Sequence, residues 1–215
     1  MRFWIDTAII KEIEWAMDLG VIEGVTTNPT LLAKSDRKLL EVLKEILKLV
    51  RVYPVSIEAV SQGADEMIEE AREISKLSKN VVVKIPMTEE GMKAVPQLEQ
   101  KGIHCNVTLA FTPAQAIIAA KMGASFVSPF VGRLDDAKED GMQVVREMVQ
   151  IYRNYNYQTQ IIVASVRNVR HVIDAALAGA HICTIPFKVL NELFKHPLTD
   201  KGIAKFLEDW ESIPK

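Results

Sequence analysis

The sequence predicts an α/β fold of eight β/α units, and two observations support this prediction. Short runs rich in β-branched residues alternate with longer segments that have helical apolar spacing. Several of the predicted helices end at a glycine just before the next strand. Such alternation is typical of a parallel sheet. We therefore expect one closed (β/α)8 barrel over residues 1–215. An open doubly wound sheet is the alternative, although the chain lacks the GxGxxG turn of the dinucleotide-binding version.

The predicted strands share apolar or β-branched residues, and each has room for one helix before the next. In chain order they cover residues 2–6, 24–27, 54–58, 81–85, 103–108, 124–128, 160–164 and 181–185. The helix-ending glycines are Gly20, Gly102, Gly123 and Gly179. Helix starts are predicted at Thr112-Pro113 and Ser35-Asp36, where a side-chain oxygen can cap backbone N–H groups.

A further helix is predicted over residues 197–215, after the eighth unit. Ile203, Phe206, Leu207 and Trp210 fall on one face of it. A closed barrel does not need this helix. Its apolar stripe either packs on its own barrel or docks on a neighbouring subunit, since exposed aromatic stripes tend to mark interfaces.

Composition excludes several classes of protein. The chain has 215 residues with 26 Lys+Arg against 28 Asp+Glu, and no basic run that would neutralise a nucleic acid backbone. The chain has no run of ~18 apolar residues, so no membrane span is expected. Asp6, Lys11 and Glu12 interrupt the apolar residues at the start before a signal-peptide core can form. Two cysteines are too few for a disulfide scaffold, which favours the reducing cytoplasm.

Polar residues collect at the carboxyl ends of the predicted strands, where barrel enzymes carry their active sites. Any one of them has a simpler explanation, because strand ends are solvated. Seven strands contribute, however, and packing gives no reason for that concentration. The residues are Asp6, Asn28, Glu58, Lys84, Asn106, Thr108, Ser128 and Ser165.

Lys84 is the candidate nucleophile. It lies within the run Val-Val-Val-Lys-Ile-Pro, and lysine is rarely buried without a partner or a function. Desolvation favours its neutral amine, which attacks ketones. With carboxylates at Asp6 and Glu58, this predicts iminium chemistry: one carboxyl donates the proton for dehydration, and the other acts as a base at a substrate hydroxyl. The four histidines lack the i, i+4 spacing of a metal site on a helix, so we expect no metal ion. Iminium chemistry uses the lysine itself, and we expect no cofactor.

Arg133, Ser165 and Arg167 follow the sixth and seventh strands. Loops late in such barrels commonly bind phosphate, and an arginine fork suits a phosphoester. Taken singly, both arginines would be ordinary surface residues.

Six motifs together resemble the short-form transaldolases and their fructose-6-phosphate aldolase relatives, within the class I aldolase superfamily. They are WIDTA at the start, GVTTNPTLL from Gly24, VVVKIP around Lys84, NVTLAFTPAQA from Asn106, SPFVGRLDD from Ser128 and ASVRN from Ala164. The resemblance covers essentially the whole chain. It implies a TIM barrel in which Lys84 forms the Schiff base.

The resemblance also implies a role for each site residue. Asp6 would deprotonate the hydroxyl at C4 of the sugar, and Glu58 would act through a water held with Thr108. The three-carbon dihydroxyacetone unit would be held by Asn28, Asn106 and Ser128, and the phosphate by Arg133, Ser165 and Arg167.

Two positions separate the activities within this family. Aldolases typically have glutamine and tyrosine where this chain has Glu58 and Phe130, and transaldolases have glutamate and phenylalanine. Simple apolar packing is the alternative explanation for Phe130.

The implied activity is transfer of a dihydroxyacetone unit from fructose 6-phosphate or sedoheptulose 7-phosphate to an aldose phosphate, in the pentose phosphate pathway of the cytoplasm. The alternatives are acceptor-independent cleavage of fructose 6-phosphate and a non-catalytic sugar-phosphate-binding protein. The short family members resemble ring-shaped homo-oligomers, pentamers or decamers, in which the C-terminal helix reaches a neighbour.

Overall fold

The computed structural model describes residues 1–33 and 37–214, and its centre is a closed barrel of eight parallel strands. Each strand pairs with the next in chain order, and β8 pairs with β1. The predicted (β/α)8 barrel is therefore confirmed, and the open sheet is excluded. The strands are β1 (Arg2–Asp6), β2 (Val25–Thr26), β3 (Val55–Glu58), β4 (Val81–Pro86), β5 (Cys105–Ala110), β6 (Phe126–Pro129), β7 (Gln160–Val163) and β8 (Ile182–Ile185).

Helices follow every strand, and their apolar faces cover the outside of the barrel. The described helices are α1 (Ile10–Asp18), α2 (Pro29–Leu32), α3 (Leu39–Val50), α4 (Ala64–Ser75), α5 (Glu89–Glu99), α6 (Pro113–Lys121), α7 (Val131–Asp136), α8 (Gly141–Tyr155), α9 (Val169–Ala178), α10 (Phe187–Glu192) and α11 (Pro197–Glu211).

Strand five departs from its predicted bounds because of a bulge. The strand starts two residues later than predicted and runs on to Ala110. Its register against β6 shifts between Val107 and Ala110, and Leu109 has a left-handed φ of 58°. One extra residue in a strand bends it and re-aims its side chains. β2 and β6 also differ from prediction, since β2 is only two residues long and β6 begins at Phe126.

The predicted helix ends are confirmed. All four helix-ending glycines have a positive φ, from 67° to 80°, which a residue with a Cβ adopts only at a cost. Thr112 forms a capping box with Gln115 at the start of α6. The start predicted at Ser35-Asp36 lies outside the described residues, and α3 begins at Leu39.

An apolar floor closes the barrel below its polar layer. It consists of Trp4, Phe126, Ile162 and Ile182, and Trp4 and Phe126 lie 5.5 Å apart between ring centroids. Three of these residues stand two positions before a polar one on the same strand, so they share its inward direction. Gly24 makes room for the indole, since a Cβ there would lie 2.5 Å from ring atoms of Trp4.

The last helix, α11, buries none of its residues. Its apolar stripe is 53–75% exposed at Ile203, Phe206, Leu207 and Trp210. The stripe therefore does not pack on its own barrel, which was one of the two alternatives from the sequence.

Within the described residues no helix is both long enough and apolar enough to cross a membrane. Cys105 and Cys183 are unpaired and buried.

We expect Gly24→Ala to destabilise the fold by about 1–3 kcal/mol, because the new methyl group would overlap the Trp4 ring. Urea unfolding measures the change. Gly202→Ala is the control: nothing lies within 4 Å of its Cβ position on α11, and alanine is the better helix former by about 0.5–1 kcal/mol. If Gly24→Ala and the unmodified chain have the same free energy of unfolding in urea, the close packing of Gly24 on Trp4 is contradicted.

Candidate active site

A cavity of about 360 Å³ opens at the carboxyl ends of the strands, and we call it the mouth cavity. Eight of the eleven predicted site residues line it: Asp6, Asn28, Lys84, Ser128, Phe130, Arg133, Ser165 and Arg167. Glu58 and Asn106 contact the lining residues Lys84 and Ser128 from behind, and Thr108 is buried on β5. The structure thus brings predicted site residues from five strands and their following loops to one place.

Lys84 lies in the barrel interior and is only 4% exposed. Its Nζ donates a hydrogen bond of 2.7 Å to the backbone carbonyl of Thr27 and lies 3.8 Å from Oε2 of Glu58. Strand register places Glu58, Lys84 and Asn106 side by side on β3, β4 and β5. An ammonium buried this deeply needs such partners, because desolvation of an unpaired charge is costly.

Asp6 lies on the mouth-cavity wall at the end of a chain of hydroxyl groups. Thr26 Oγ1 is 2.7 Å from Asp6 Oδ1 and 2.6 Å from Thr184 Oγ1. A hydroxyl has one proton, so Thr184 donates to Thr26 whenever Thr26 donates to the carboxylate. Burial raises the pKa of Asp6, while the Lys84 charge and the Thr26 hydrogen bond both oppose that rise.

A second chain of side chains orders the opposite wall. Ser128 Oγ donates to Asn106 Oδ1 at 2.8 Å, and Asn106 Nδ2 donates to Ser56 Oγ at 3.1 Å. All three residues are almost completely buried. The chain fixes the Asn106 amide, so Asn106 supports the mouth cavity through Ser128 and does not line it.

Thr108 and Glu58 keep buried oxygens without hydrogen-bond partners. Thr108 Oγ1 and Glu58 Oε2 are both inaccessible to solvent, and neither makes a hydrogen bond in the structure. Thr108 is 0% exposed and immediately precedes Leu109, the left-handed residue of the β5 bulge. Buried polar atoms are usually satisfied, and among the described residues Trp4 Nε1 is the other buried side-chain atom without a partner.

The two arginines stand on one side of the mouth cavity, held by close backbone packing. Gly132 N donates to Ser165 O, and a Cβ on Gly132 would lie 2.1 Å from that oxygen. Ser165 itself has a left-handed φ of 59°. Only glycine at position 132 lets the loop of Ser165 and Arg167 lie against the start of α7, which carries Arg133.

The arginines have different surroundings. The Arg133 guanidinium lies 4.9 Å from the Phe130 ring centroid, a cation–π contact. Arg167 Nη2 donates to Asp136 Oδ2 at 2.8 Å. Asn28, on another side of the mouth cavity, uses Oδ1 to cap α2 through Leu31 N, so its Nδ2 amide is the group that can contact a ligand.

Sequence reasoning missed Thr26, Thr184, Ser56 and the Thr27 carbonyl as parts of the site. A signal for Thr184 existed, since it is the one polar residue of β8 and falls two positions after Ile182. The eighth strand thus contributes to the polar layer as well. A backbone acceptor such as Thr27 O leaves no sequence signal.

The buried histidine, His171, makes structural contacts. His171 Nε2 lies 2.8 Å from Asp135 Oδ2, and its Nδ1 accepts from Arg167 N. Among the described residues, no group of three His, Cys, Asp or Glu side chains is placed to hold a metal ion.

Fold and site together define a class: a (β/α)8-barrel protein with a lysine buried between carboxylates at the barrel mouth. The comparisons with known proteins identify the family. The family model described as Transaldolase/Fructose-6-phosphate aldolase matches residues 3–215. The chain therefore belongs to that family, a family of transaldolase-type enzymes.

Curated relatives match over their full length. The chain is 58% identical over 215 residues to the probable transaldolase of Aquifex aeolicus (strain VF5), covering 100% of this chain and 99% of that protein. It is also 58% identical over 215 residues to the probable transaldolase of Geobacter sulfurreducens, with 100% of each chain covered. For the probable transaldolase of Coprothermobacter proteolyticus the identity is 53% over 214 residues, with 100% and 98% covered.

We expect Thr26→Val to raise the pKa of Asp6, because the variant loses the hydrogen bond that favours the ionised carboxylate. Titration followed by carbon NMR of the Asp6 carboxyl measures it directly. Thr184→Val is the matched control, since it keeps the Thr26–Asp6 bond and should give a smaller rise. An unchanged or lower pKa of Asp6 in Thr26→Val would contradict the hydroxyl chain.

Proposed function

We propose that this enzyme transfers a dihydroxyacetone unit from fructose 6-phosphate or sedoheptulose 7-phosphate to erythrose 4-phosphate or glyceraldehyde 3-phosphate. The observation that carries the proposal is the buried Lys84 amine between the Asp6 and Glu58 carboxyls. The names of the relatives, probable transaldolase, support the same activity.

The Lys84 ammonium group gives a proton to Glu58, and the neutral amine then attacks C2 of the ketose. Loss of the carbinolamine oxygen as water leaves a protonated Schiff base. The iminium then withdraws electrons from the bond between C3 and C4, a task that needs neither a metal ion nor a cofactor. Cleavage also requires a base at the C4 hydroxyl, and Asp6 is suited to it because it lines the mouth cavity. Its pKa, raised by burial, brings it closer to that of a useful base.

Glu58 handles the proton of the dehydration step through a water held with Thr108. Two features support this division of roles. Glu58 is the carboxyl nearer to Nζ, and the unpartnered Glu58 Oε2 and Thr108 Oγ1 both require a polar partner. Asn28 and Ser128 hydrogen-bond the hydroxyls of the three-carbon unit, with Asn106 orienting Ser128.

The phosphate binds between Arg133 and Arg167, with the hydroxyl of Ser165 beside them. All three residues line the mouth cavity, and a bidentate arginine contact suits a phosphoester. Arg167 already pairs with Asp136, so a bound phosphate would compete for that guanidinium.

Phe130 and Glu58 favour the transferase over the aldolase. The Phe130 ring lies in the mouth cavity under Arg133 and brings no hydroxyl to protonate the bound enamine. The enamine then persists until an aldehyde arrives. The second candidate, acceptor-independent cleavage of fructose 6-phosphate, uses the same lysine and differs in the fate of this intermediate.

We also propose a homo-oligomer, a pentamer or decamer, acting in the pentose phosphate pathway of the cytoplasm and binding neither nucleic acid nor membrane. The exposed apolar stripe of α11 supports a subunit contact. The two unpaired cysteines support the cytoplasmic location, and the near-neutral net charge supports the expectation that the protein does not bind nucleic acid.

Borohydride reduction in the presence of fructose 6-phosphate should leave a three-carbon adduct on Lys84, detected by peptide mass mapping. Lys84→Met, which keeps the volume of the side chain, should lose the adduct and lower transfer by at least about 10³-fold. Lys93→Met, on the exposed face of α5, is the control. An adduct on another lysine, or full activity in Lys84→Met, would refute the mechanism. Normal sugar-phosphate affinity without any turnover would favour the non-catalytic binding protein.

Product analysis with and without erythrose 4-phosphate separates transfer from aldol cleavage. We expect continuous release of glyceraldehyde 3-phosphate from fructose 6-phosphate only when the acceptor is present. Phe130→Tyr should increase acceptor-free cleavage, because a phenol can donate a proton to the enamine. Phe111→Tyr, whose ring centroid lies 6.0 Å from that of Phe130, is the control. Equal release with and without acceptor in the unmodified chain would favour the aldolase.

A further inference from the structure

Two separate cavities approach the buried lysine from different sides. The mouth cavity is lined by Lys84 and Asp6. Glu58 instead lines a second cavity of about 680 Å³, together with Val60, Pro86, Glu89, Glu90 and Leu109. We call it the side cavity. Since Glu58 Oε2 is 3.8 Å from Lys84 Nζ, the Glu58 carboxyl stands between the lysine and the side cavity.

The two cavities carry opposite charge. The mouth cavity has Lys84, Arg133 and Arg167 against one lining carboxylate, Asp6. Among the described residues that line the side cavity, the charged ones are three glutamates, Glu58, Glu89 and Glu90. Lys93, which pairs with two of them, offsets only part of that charge. A sugar phosphate is therefore attracted to the mouth cavity and repelled from the side cavity.

Schiff-base chemistry moves one water molecule in each direction. On formation, the carbinolamine C–O bond breaks, the nitrogen lone pair forms the C=N bond, and the oxygen takes a proton from the Glu58 carboxyl and leaves as water. On hydrolysis, water adds to C2, the C=N electron pair returns to nitrogen, and the proton returns to Glu58. No oxidant or further reactant is needed.

The mouth cavity is occupied at both of these steps. A ketose phosphate with C2 on Lys84 and its phosphate at Arg133 and Arg167 spans the opening from the lysine to the rim. Water must therefore cross the Glu58 side. Glu58 lines the side cavity, and its unpartnered Oε2 is the atom that a water arriving from that cavity would bind first.

From this arrangement we propose that the side cavity is the water entrance of the active site, used while the ketose phosphate fills the mouth cavity. The inference rests on the proposed function, because it concerns the water of the Lys84 Schiff base. It assigns two openings to one lysine: an arginine-lined one for the sugar phosphate and a glutamate-lined one for water.

Val60 offers a way to obstruct the side cavity without touching the catalytic groups. Its side chain is 67% exposed at the cavity, while its backbone N–H is held by the Glu70 carboxylate. Val60→Trp should fill the side cavity and leave that backbone bond in place. Val52→Trp makes the same change at an 80% exposed valine outside both cavities.

The readout is enzyme-dependent exchange of the C2 oxygen in ¹⁸O-labelled water, measured by mass spectrometry with two donors. Fructose 6-phosphate fills the mouth cavity, whereas dihydroxyacetone lacks the phosphorylated arm and leaves it open. We expect Val60→Trp to slow exchange of fructose 6-phosphate about tenfold, equivalent to roughly 1.4 kcal/mol in the barrier. Val60→Trp should exchange the C2 oxygen of dihydroxyacetone at the rate of the unmodified chain. Val52→Trp should exchange the C2 oxygen of both donors at that rate.

Two results would overturn the inference while leaving the proposed function intact. Exchange of fructose 6-phosphate by Val60→Trp at the unmodified rate would show that water enters elsewhere. Equal slowing with both donors would show a general disturbance of the site. If Val60→Trp does not fold, Gln62→Trp, exposed on the same cavity, takes its place. If the unmodified chain gives neither exchange nor a borohydride adduct, the proposed function itself fails.

Discussion

The charge of Lys84 sets the constraint on which the barrel interior depends. A lysine 4% exposed among valines is stable only if acceptors and negative charge surround its ammonium group. The Thr27 carbonyl supplies the acceptor, and Glu58 and Asp6 supply the charge. The carboxylates are buried in turn and need their own partners, so the Thr26–Thr184 hydroxyl chain extends the polar layer across the barrel to β8. One buried charge thus explains most of the polar residues in the interior.

The apolar floor makes this polar layer possible. Trp4, Phe126, Ile162 and Ile182 seal the interior below it, and the valines of β4 that face the helices seal it from the side. Strand periodicity positions both layers, because residues two apart on a strand both point inward. The residue two positions before the polar one therefore belongs to the floor. The lysine is therefore closed off by apolar side chains below, and the mouth cavity above it opens at the carboxyl ends of the strands, where substrates approach barrel enzymes.

Much of the fold was predictable because its signals are local. The strands of a parallel barrel are short apolar runs, and the glycines that end their preceding helices are required by a left-handed φ. Most site residues were predictable because a polar side chain within or at the end of an apolar strand is unusual and indicates a function. The Thr27 carbonyl, the β5 bulge at Leu109 and the exposure of α11 were not, since they depend on backbone geometry and on contacts between distant segments. The roles given to the site residues remain predictions that the proposed experiments test.

The positions of the two carboxylates also order the chemistry in space. Asp6, on β1, faces the mouth cavity, and Glu58, on β3, faces the side cavity and lies beside Lys84 of β4. A ketose bound by its phosphate at the arginines after β6 and β7 must lay its chain over β8 and β1 or over β5 to reach C2 at Lys84. In the proposed reaction the chain takes the first path, because only that path brings the C4 hydroxyl past Asp6 and keeps the Glu58 side free for water. With the roles proposed for Asp6 and Glu58, the strand that carries each carboxylate separates proton transfer at the sugar hydroxyl from proton transfer at water.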